Sequence, residues 1–368
     1  MEAVYIHIPF CKSICSYCDF SKMFYNKEFA NNYLDALEKE INTNYQNEII
    51  KTLYIGGGTP NSLCDDELER LFKILKIINL QDNYEYTIEC NIELLTENQI
   101  NLFNKYGINR VSIGIQTFNE KYLKFLNRNH TKEEVFNKIK LLKDKGINNI
   151  NIDLIYGIPG QTKEELLEDI NLFKSLDIPH ISTYSLIIEP HTVLYNKHIK
   201  NIDEDLDCEM YDLIIKNLDN YKHYETSNFA KTGFESKHNL TYWNNANYYG
   251  FGLGASGYIN NIRYDNTRNI DAYIKGDYLK EQEELDFNTT VENEFILGFR
   301  KIDGISIDTF YNKYHINMLD IDIVKKLLEE GKLINIDNKV RISDDYLYIA
   351  NEILIDFLGV NYEKYSIW

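Results

Sequence analysis

Short apolar runs alternate with amphipathic segments through the first half of the chain. The apolar runs are rich in Ile, Val, Tyr and Thr, as β-strands usually are. These runs are Val4–Ile8, Thr52–Ile55, Tyr84–Cys90, Arg110–Ile115, Asn149–Ile155 and His180–Ile187. Five segments between them have helical periodicity: Lys27–Tyr45, Asp65–Ile77, Thr96–Tyr106, Lys132–Lys145 and Lys163–Leu176. Alternating strands and helices predict an α/β fold with a parallel sheet, which can close fully or partly into a barrel.

The alternation stops after about residue 190. Residues 204–219 predict a helix, and residues 224–275 form a Gly-, Asn- and Tyr-rich stretch with little periodicity. From about Val291 a second unit begins, with a helical run, a hairpin turning at Asp337-Asn338 and a final helix near residues 346–358. This order resembles a small winged-helix-like module. Such modules often bind DNA, but this one is acidic, which favours a lid or packing role.

Unusual residues follow the ends of the predicted strands. They are Cys11, Cys15 and Cys18 after the first strand, Gly56-Gly57-Gly58-Thr59-Pro60 after the second, Glu89 and Gln116 near the ends of the third and fourth, and Asp153 late in the fifth. In a (β/α) barrel these positions gather at the carboxyl-terminal mouth, where active sites lie. We therefore expect the functional site there.

Cys11, Cys15 and Cys18 lie within eight residues. Cysteine thiolates are the usual ligands of iron–sulfur clusters, which normally take four. Three thiolates would leave one iron of a [4Fe–4S] cube open to bind a small molecule, which indicates radical chemistry. A structural zinc site would need a fourth Cys or His nearby, and His7 ends a predicted strand that points it elsewhere. A disulfide is disfavoured because no secretory signal precedes the cysteines.

The other strand-end residues suit ligand binding. Glycine lets a backbone approach a ligand closely, and Glu89 and Gln116 could hydrogen-bond ribose hydroxyls. Asp153 interrupts an apolar strand, and a buried carboxylate is costly unless it is paired. Arg128 is its expected partner, so a structural ion pair and a role in cofactor binding both stay open.

Two later motifs carry weaker signals. Residues 252–257 match the pattern G-x-G-x-x-G, but no buried strand is predicted before them, so we expect close backbone packing rather than dinucleotide binding. His238 lies beside two aromatic residues, Tyr242 and Trp243. Histidine is a common axial ligand of heme iron. By residue type alone, a lone histidine is more often a surface residue or a hydrogen-bonded core residue than a heme ligand.

The composition limits the choice of partners. The net charge of −18 opposes non-specific binding to nucleic acid. No apolar run approaches the ~20 residues of a membrane span. No targeting signal is evident, so we expect a cytoplasmic location, with or without peripheral contact at a membrane. Cys64, Cys90 and Cys208 are isolated and are expected to be buried or inert.

Taken in order, these motifs resemble the radical S-adenosylmethionine (SAM) enzymes related to oxygen-independent coproporphyrinogen III oxidase. The resemblance rests on Tyr-Ile-His-Ile-Pro-Phe-Cys with two further cysteines, Gly-Gly-Gly-Thr-Pro, Gln116-Thr-Phe with Arg128 twelve residues on, and Ile-Asp-Leu-Ile-Tyr-Gly-Ile-Pro. It covers nearly the whole chain. It implies a partial (β/α)6, TIM-like radical SAM barrel with a small mixed, mainly helical C-terminal domain.

The resemblance also implies roles for residues. Cys11, Cys15 and Cys18 would ligate a [4Fe–4S] cluster whose open iron binds SAM. The residues expected to complete the SAM pocket are Tyr5, Tyr17, Gly56, Gly57, Thr59, Glu89, Gln116, Arg128, Asp153 and Ile187. The family often has Pro where Ile92 stands here, which alters the local turn but spares Glu89.

Two features distinguish the branches of this family. The oxidase has a further cysteine two residues after its third, where Phe20 stands here, and a longer N-terminal extension before the position of Tyr5. The stretch His238-Asn-Leu-Thr-Tyr-Trp is instead typical of the heme chaperone branch. The resemblance therefore implies a protein that carries a cluster, SAM and heme, contacts heme through His238, and delivers heme to apo-hemoproteins such as membrane respiratory enzymes.

The alternatives are a true oxidase, which decarboxylates coproporphyrinogen III to protoporphyrinogen IX, and a regulatory winged-helix protein with a redox cluster. No residue is assigned a catalytic role, and enzymatic activity and homodimer formation are left open. Three units are expected: the radical SAM core at 1–190, an extension completing the barrel side with a heme region at 191–285, and a winged-helix-like domain of the oxidase type at 286–368.

Overall fold

The computed structural model describes residues 1–366 and shows a parallel sheet built in chain order. Its six strands are β1 Ala3–Ile8, β2 Ile49–Gly57, β3 Asn79–Asn91, β4 Arg110–Gln116, β5 Asn149–Tyr156 and β6 His180–Ser185. Every consecutive pair is parallel and hydrogen-bonded. The predicted α/β fold is confirmed, with strand ends that differ by a few residues.

Helices connect these strands. They are α1 Lys27–Asn44, α2 Asp65–Leu75, α3 Glu97–Tyr106, α4 Glu120–Phe125, α5 Lys132–Asp144 and α6 Lys163–Ser175. Both α5 and α6 begin with a capping box. The hydroxyl of Thr131 or Thr162 accepts from the backbone amide of the N3 glutamate, and the glutamate carboxylate accepts from the backbone amide of that threonine. The short helix α4 is additional to the five helices that the periodicity predicts.

Side chains alternate along each strand between the helices and the barrel interior. In β4, Val111, Ile113 and Ile115 are fully buried in one apolar cluster with the helices. The interleaved Ser112 and Gly114 line an interior cavity. The strands therefore hold the fold together with one face and present polar groups to the interior with the other.

Residues 222–284 extend the sheet at both edges. The added strands are β7 Lys222–Glu225, β8 Asn228–Ala230, β9 Tyr248–Phe251, β10 Ser256–Ile259, β11 Ile262–Asn266 and β12 Leu279–Glu284. Strand β9 is parallel to β1, β10–β12 continue as an antiparallel meander, and β8 and β7 follow β6 on the other side. The sheet keeps two edges, β7 and β12, so the barrel is partial. The first five of these strands have only three to five residues, and β12 is an exposed run with a single apolar residue, so the sequence pattern did not predict them.

Four helices accompany this extension, namely α7 Val193–Asn196, α8 Glu204–Asn217, α9 Lys237–Trp243 and α10 Ile270–Lys275. The glycine pattern at 252–257 follows strand β9, contrary to the expectation that no buried strand precedes it. No helix opens there, because β10 follows directly. A Cβ at Gly252 would lie 2.6 Å from the carbonyl oxygen of His7, so this glycine allows close packing against the end of β1.

The C-terminal segment has its own apolar core, which includes Phe295, Phe310 and Phe357. Its elements are α11 Phe287–Gly298, β13 Ile305–Ser306, α12 Ile307–Tyr314, α13 Asp322–Glu329, β14 Leu333–Ile336, β15 Lys339–Ile342 and α14 Ala350–Ile355. The predicted hairpin is present, with positive φ at Asp337 and Asn338 as a type I′ turn requires. The final helix is shorter than predicted. No helix within residues 1–366 has the length and apolar character to cross a membrane.

Candidate functional site

The cysteine loop follows β1 and is held in place at its base and at its centre. Phe10 and Cys11 pair in parallel with Met23 and Phe24, which closes the loop at its base. At its centre, the amide of Ser16 donates to the carbonyl oxygen of Leu126 at 3.1 Å, and the Ser16 hydroxyl donates to the Phe125 carbonyl at 2.8 Å. The loop is therefore fixed against the segment that follows α4.

The three thiols are free and line one cavity of about 490 Å³ at the carboxyl ends of the strands. We name it the carboxyl-end cavity. It is bounded by Cys11, Cys15, Cys18, Glu89, Gln116 and Asp153, with the further residues described below. Its volume is in the range of small-molecule and cofactor sites.

The thiols fit a cluster better than a single ion. Among the described residues, no three His, Cys, Asp or Glu side chains converge on one metal position. A zinc ion needs its ligands around one centre, whereas each cysteine of an iron–sulfur cube holds its own iron. Burial raises the pKa of Cys11 to about 11, although Thr59 donates a hydrogen bond to its sulfur at 3.4 Å. Metal binding would supply the positive charge that a buried thiolate needs.

Arg128 is buried beside the loop and is only 3% exposed. Its guanidinium donates to Glu93 Oε2 at 3.0 Å, to Asn91 Oδ1 at 3.0 Å and to the Gly114 carbonyl at 2.8 Å. Its Nη1 also lies 3.9 Å from the sulfur of Cys15. The expected ion pair between Arg128 and Asp153 is not formed; the carboxylate that pairs with Arg128 is Glu93, two residues after Asn91 at the end of β3.

Glu89 forms part of the wall of the same cavity. Its carboxylate accepts from the Tyr54 hydroxyl at 2.7 Å and from the Gly57 amide at 3.0 Å. Burial, with a contribution from the Asp153 carboxylate, raises the pKa of Glu89 to about 7. A Cβ at Gly56 would lie 2.9 Å from this carboxyl group, and Gly57 has a φ of +110°. The glycine run is therefore needed to bring the backbone onto Glu89.

Gln116 and Asp153 complete that wall from the neighbouring strands. Gln116 has a φ of +71°, which turns the chain out of β4 at the cavity. Asp153 accepts from Asn151 Nδ2 at 2.8 Å, and burial raises the pKa of its carboxyl group. Both side chains line the carboxyl-end cavity, as do Tyr17, Thr59 and Ile187.

Tyr5 lies next to this cavity rather than in its lining. Its hydroxyl donates to Nδ1 of His7 at 3.0 Å. His7 Nε2 lies 2.7 Å from the carbonyl oxygen of Ser21, which can only accept, so Nε2 carries the proton and Nδ1 accepts from Tyr5. Both ring nitrogens of His7 are engaged, so it has none to offer a metal.

His238 lies in α9 within the barrel, outside the lining of the carboxyl-end cavity, and is 2% exposed. Nδ1 lies 2.8 Å from the Thr52 hydroxyl, and Nε2 lies 2.8 Å from the Tyr242 hydroxyl. The ring stacks on Tyr54 with centroids 4.9 Å apart. Burial, together with the charge of Arg110, lowers the pKa of His238 to about 3. The structure thus gives His238 a place in the core and leaves neither nitrogen open to heme iron.

Several cavity residues were missed in the sequence. Ser112 and Asn91 line the carboxyl-end cavity, two residues before Gly114 and two after Glu89. The period of two along a strand was the signal that could have found them. Cys90 also reaches the wall, but burial raises the pKa of its thiol well above the usual range, in keeping with an inert cysteine.

Comparisons with known proteins identify the family of the chain. Residues 5–173 match the model of the Radical SAM superfamily. The heme chaperones HemW of Lactococcus lactis and Bacillus subtilis are each 38% identical to the chain, over 97% of both chains for the first and over 98% of this chain and 100% of that protein for the second. HemW of Escherichia coli is 32% identical over 82% of this chain and 83% of its own.

The chain belongs to the HemW heme chaperone family. The resemblance inferred from the motifs is confirmed, and the relatives favour the chaperone branch over the oxidase. Coproporphyrinogen III oxidase (HemN) of Escherichia coli, a radical SAM enzyme, has the same fold, with a TM-score of 0.85 over 97% of this chain and 90% of its own. At 21% identity, that likeness shows the fold alone.

Proposed function

We propose that the chain is a heme chaperone that holds a [4Fe–4S] cluster and SAM in the carboxyl-end cavity and delivers heme to membrane hemoproteins such as respiratory enzymes. The observation that carries the proposal is the shared cavity. Three free thiols from one loop line the same cavity as Glu89, Gln116 and Asp153 from three consecutive strands. Membership of the HemW family supplies heme as the cargo.

Cys11, Cys15 and Cys18 would hold the cluster, which supplies electron transfer to a bound ligand when present. Arg128 positions the loop, because its guanidinium spans Cys15, Glu93 and the Gly114 carbonyl. This cation offsets part of the negative charge of the thiolates. The role of Arg128 is therefore to fix the loop and the charge balance of the cluster.

The cavity lining offers acceptors that suit SAM. Glu89 and Asp153 present carboxylates, and Gln116 presents an amide, which can accept hydrogen bonds from ribose hydroxyls or an ammonium group. Ile187, on the rim, offers an apolar contact for an adenine ring. Burial and the neighbouring Asp153 carboxyl group raise the pKa of Glu89 to about 7, and a cationic ligand would stabilise its charged form.

Heme needs a large apolar surface, and the rim of the carboxyl-end cavity has one. Phe20 and Ile187 line the cavity and are 63% and 62% exposed, and Tyr184 is 43% exposed. Exposed apolar groups clustered at the edge of a cavity mark interaction sites. Phe20 stands where the oxidase carries a cysteine. We infer that the porphyrin face lies against this rim rather than at His238.

The proposal is tested by two assays on the same cluster-loaded protein. In the first, heme-loaded protein is mixed with an apo-cytochrome, and heme transfer is followed by the cytochrome spectrum. In the second, the protein is incubated with coproporphyrinogen III, SAM and a reductant, and porphyrin products are separated by chromatography. We expect heme transfer and no decarboxylation beyond the protein-free control. Catalytic decarboxylation without heme transfer would assign the oxidase function instead.

A further inference from the structure

A second cavity, of about 740 Å³, lies at the opposite end of the barrel. Thr52, near the start of β2, and Leu240 of α9 form its barrel side, while Ile305 and Thr309 of the C-terminal segment form the other side. We name it the amino-end cavity. Nothing derived above uses it.

The lining of the amino-end cavity is unusually basic for this protein. It contains the five lysines Lys51, Lys237, Lys301, Lys313 and Lys339, and the three acids Glu2, Glu294 and Asp303. Five positive and three negative groups leave a local charge of +2, in a chain whose net charge is −18. The cavity therefore concentrates positive charge against the overall balance.

Three of these lysines have carboxylate partners. Lys51 pairs with Glu2 at 2.6 Å. Lys313 pairs with Glu294 at 2.9 Å, and Lys339 lies 3.6 Å from Asp303. Each acid of the lining therefore pairs with one of these three lysines, and none forms an ion pair with Lys237 or Lys301.

Lys237 and Lys301 lack such partners. Within the described part of the chain, no carboxylate oxygen lies within 4.0 Å of either ammonium. Lys237 donates to the Asn83 carbonyl at 3.2 Å, and Lys301 donates to Asn244 Oδ1 at 2.6 Å. An ammonium has three donors, so each retains donor capacity toward the cavity.

The environment of Lys301 favours an anion. The side chain is partly buried, and that burial lowers the pKa of Lys301 to about 8. The nearby Lys313 and Lys339 lower this pKa further, while Glu294 and Asp303 act in the opposite direction without contacting the ammonium. An anion beside Lys301 would offset the remaining cost of its burial. Ser306 and Thr309 of the same lining lie at the amino end of α12, but the Thr309 amide is capped by the Ser306 hydroxyl and the Ile307 amide donates to Asn338. The lysines, not this helix end, therefore carry the attraction for an anion.

We propose that the amino-end cavity binds a small multivalent anion bearing phosphate or carboxylate groups, held by Lys237 and Lys301. Charge-assisted hydrogen bonds from two ammonium groups select for such an ion over a neutral ligand. The lining has few apolar side chains, so it suits the anionic groups of a ligand rather than a porphyrin face. The proposal does not depend on the function proposed for the carboxyl-end cavity.

Isothermal titration of the full chain with inorganic pyrophosphate, at constant ionic strength, tests this proposal. We expect saturable binding of one pyrophosphate per chain. Lys301→Met and Lys237→Met keep an unbranched side chain one atom shorter while removing the charge, and each should weaken binding roughly tenfold. Lys280→Met is the matched control, because Lys280 is exposed and pairs with its neighbour Glu281. Thermal unfolding of each variant checks that it is folded.

The proposal is overturned if pyrophosphate does not bind saturably, or if both variants bind it as tightly as the Lys280→Met control. A heme titration of the same variants identifies the source of the anionic groups. Weakened heme binding, with competition between heme and pyrophosphate, would assign the site to the heme carboxylates. Unchanged heme binding in variants that have lost pyrophosphate would assign it to a separate phosphate or carboxylate compound.

Discussion

The two ends of the barrel are built by different means. At the carboxyl end, one short loop brings three cysteines, and successive strand ends add Glu89, Gln116 and Asp153. At the amino end, Lys51, Lys237 and Lys301 come from segments far apart in the chain. In a barrel of parallel strands, the loops that follow the strands all lie at the carboxyl end, so sequence motifs at strand ends come together there. The residues at the amino end share no such motif.

The chemistry of the two ends differs accordingly. The carboxyl-end cavity is lined by thiols and carboxylates, which suit metal and cationic groups. The amino-end cavity is lined by more lysines than acids, which suits anions. Helix α9 lies between them, since His238 stacks on Tyr54 inside the barrel while Leu240 faces the amino-end cavity. Substitutions at one end of the barrel should therefore leave ligand binding at the other end unchanged.

The largest effect is expected from Cys15→Ala. Loss of one of three thiolate ligands should abolish the visible absorbance of the reconstituted cluster, because only Cys11 and Cys18 would remain. Pyrophosphate binding at the amino end should be unchanged. Cys208→Ala, in α8, is the control and should keep the cluster. A normal cluster spectrum in Cys15→Ala would refute the ligand assignment.

Arg128→Met should be the next most severe change. It removes the buried cation and leaves the half-buried Glu93 without its partner, at a cost of about 3 kcal/mol in the free energy of unfolding. Arg70→Met is the control, because Arg70 pairs with Asp35 at the surface and should contribute about 0.5 kcal/mol. Urea unfolding measures both. Equal effects in the two variants would show that the Arg128 pair is not a buried one.

Glu89→Gln should change how stability depends on pH. The folded-state pKa of Glu89 is about 7 and its ordinary value is 4.5, so between these pH values the folded state binds more protons than the unfolded state. The free energy of unfolding therefore falls as pH rises from about 4.5 to 7, and Glu89→Gln should remove roughly 3 kcal/mol of that fall. Urea unfolding at pH 5 and pH 8 measures it. Parallel pH curves for the variant and the wild type would contradict the assignment.

His238→Ala should have a smaller effect, confined to stability. It leaves the hydroxyls of Thr52 and Tyr242 without their partner, which costs about 2 kcal/mol. The spectrum and affinity of bound heme should stay the same, because neither ring nitrogen is open to iron. A changed heme spectrum in a folded His238→Ala protein would restore the histidine as a heme contact.

The sequence predicted the carboxyl end well because its signals are local. Cys11, Cys15 and Cys18 lie in one loop, and residues at strand ends follow from the parallel topology. The sequence did not show that Arg128 pairs with Glu93, because both residues lie outside the strands and their meeting depends on how the loops fold. Asp153 was the expected partner of Arg128 because a carboxylate within an apolar strand needs a partner.

The placement of His238 could not be predicted from residue type or motif. A histidine beside aromatic residues suits a heme ligand and a stacked core residue equally, and only the packing against Tyr54 and Thr52 separates the two. The amino-end cavity could not be predicted either, because it too depends on how distant segments pack. Its lysines are ordinary surface residues in the sequence, and the cavity exists only where the C-terminal segment covers the barrel.

Heme titration of cluster-loaded protein, comparing wild type with Ile187→Glu, tests the central claim most directly. Ile187 is on the exposed rim of the carboxyl-end cavity, and Ile336, 50% exposed in β14, provides the control Ile336→Glu. We predict that Ile187→Glu weakens heme binding roughly tenfold, because it places a charge against the porphyrin face, while Ile336→Glu binds like wild type. Equal heme affinity in all three proteins would contradict the claim that heme is carried at the mouth of the cluster cavity.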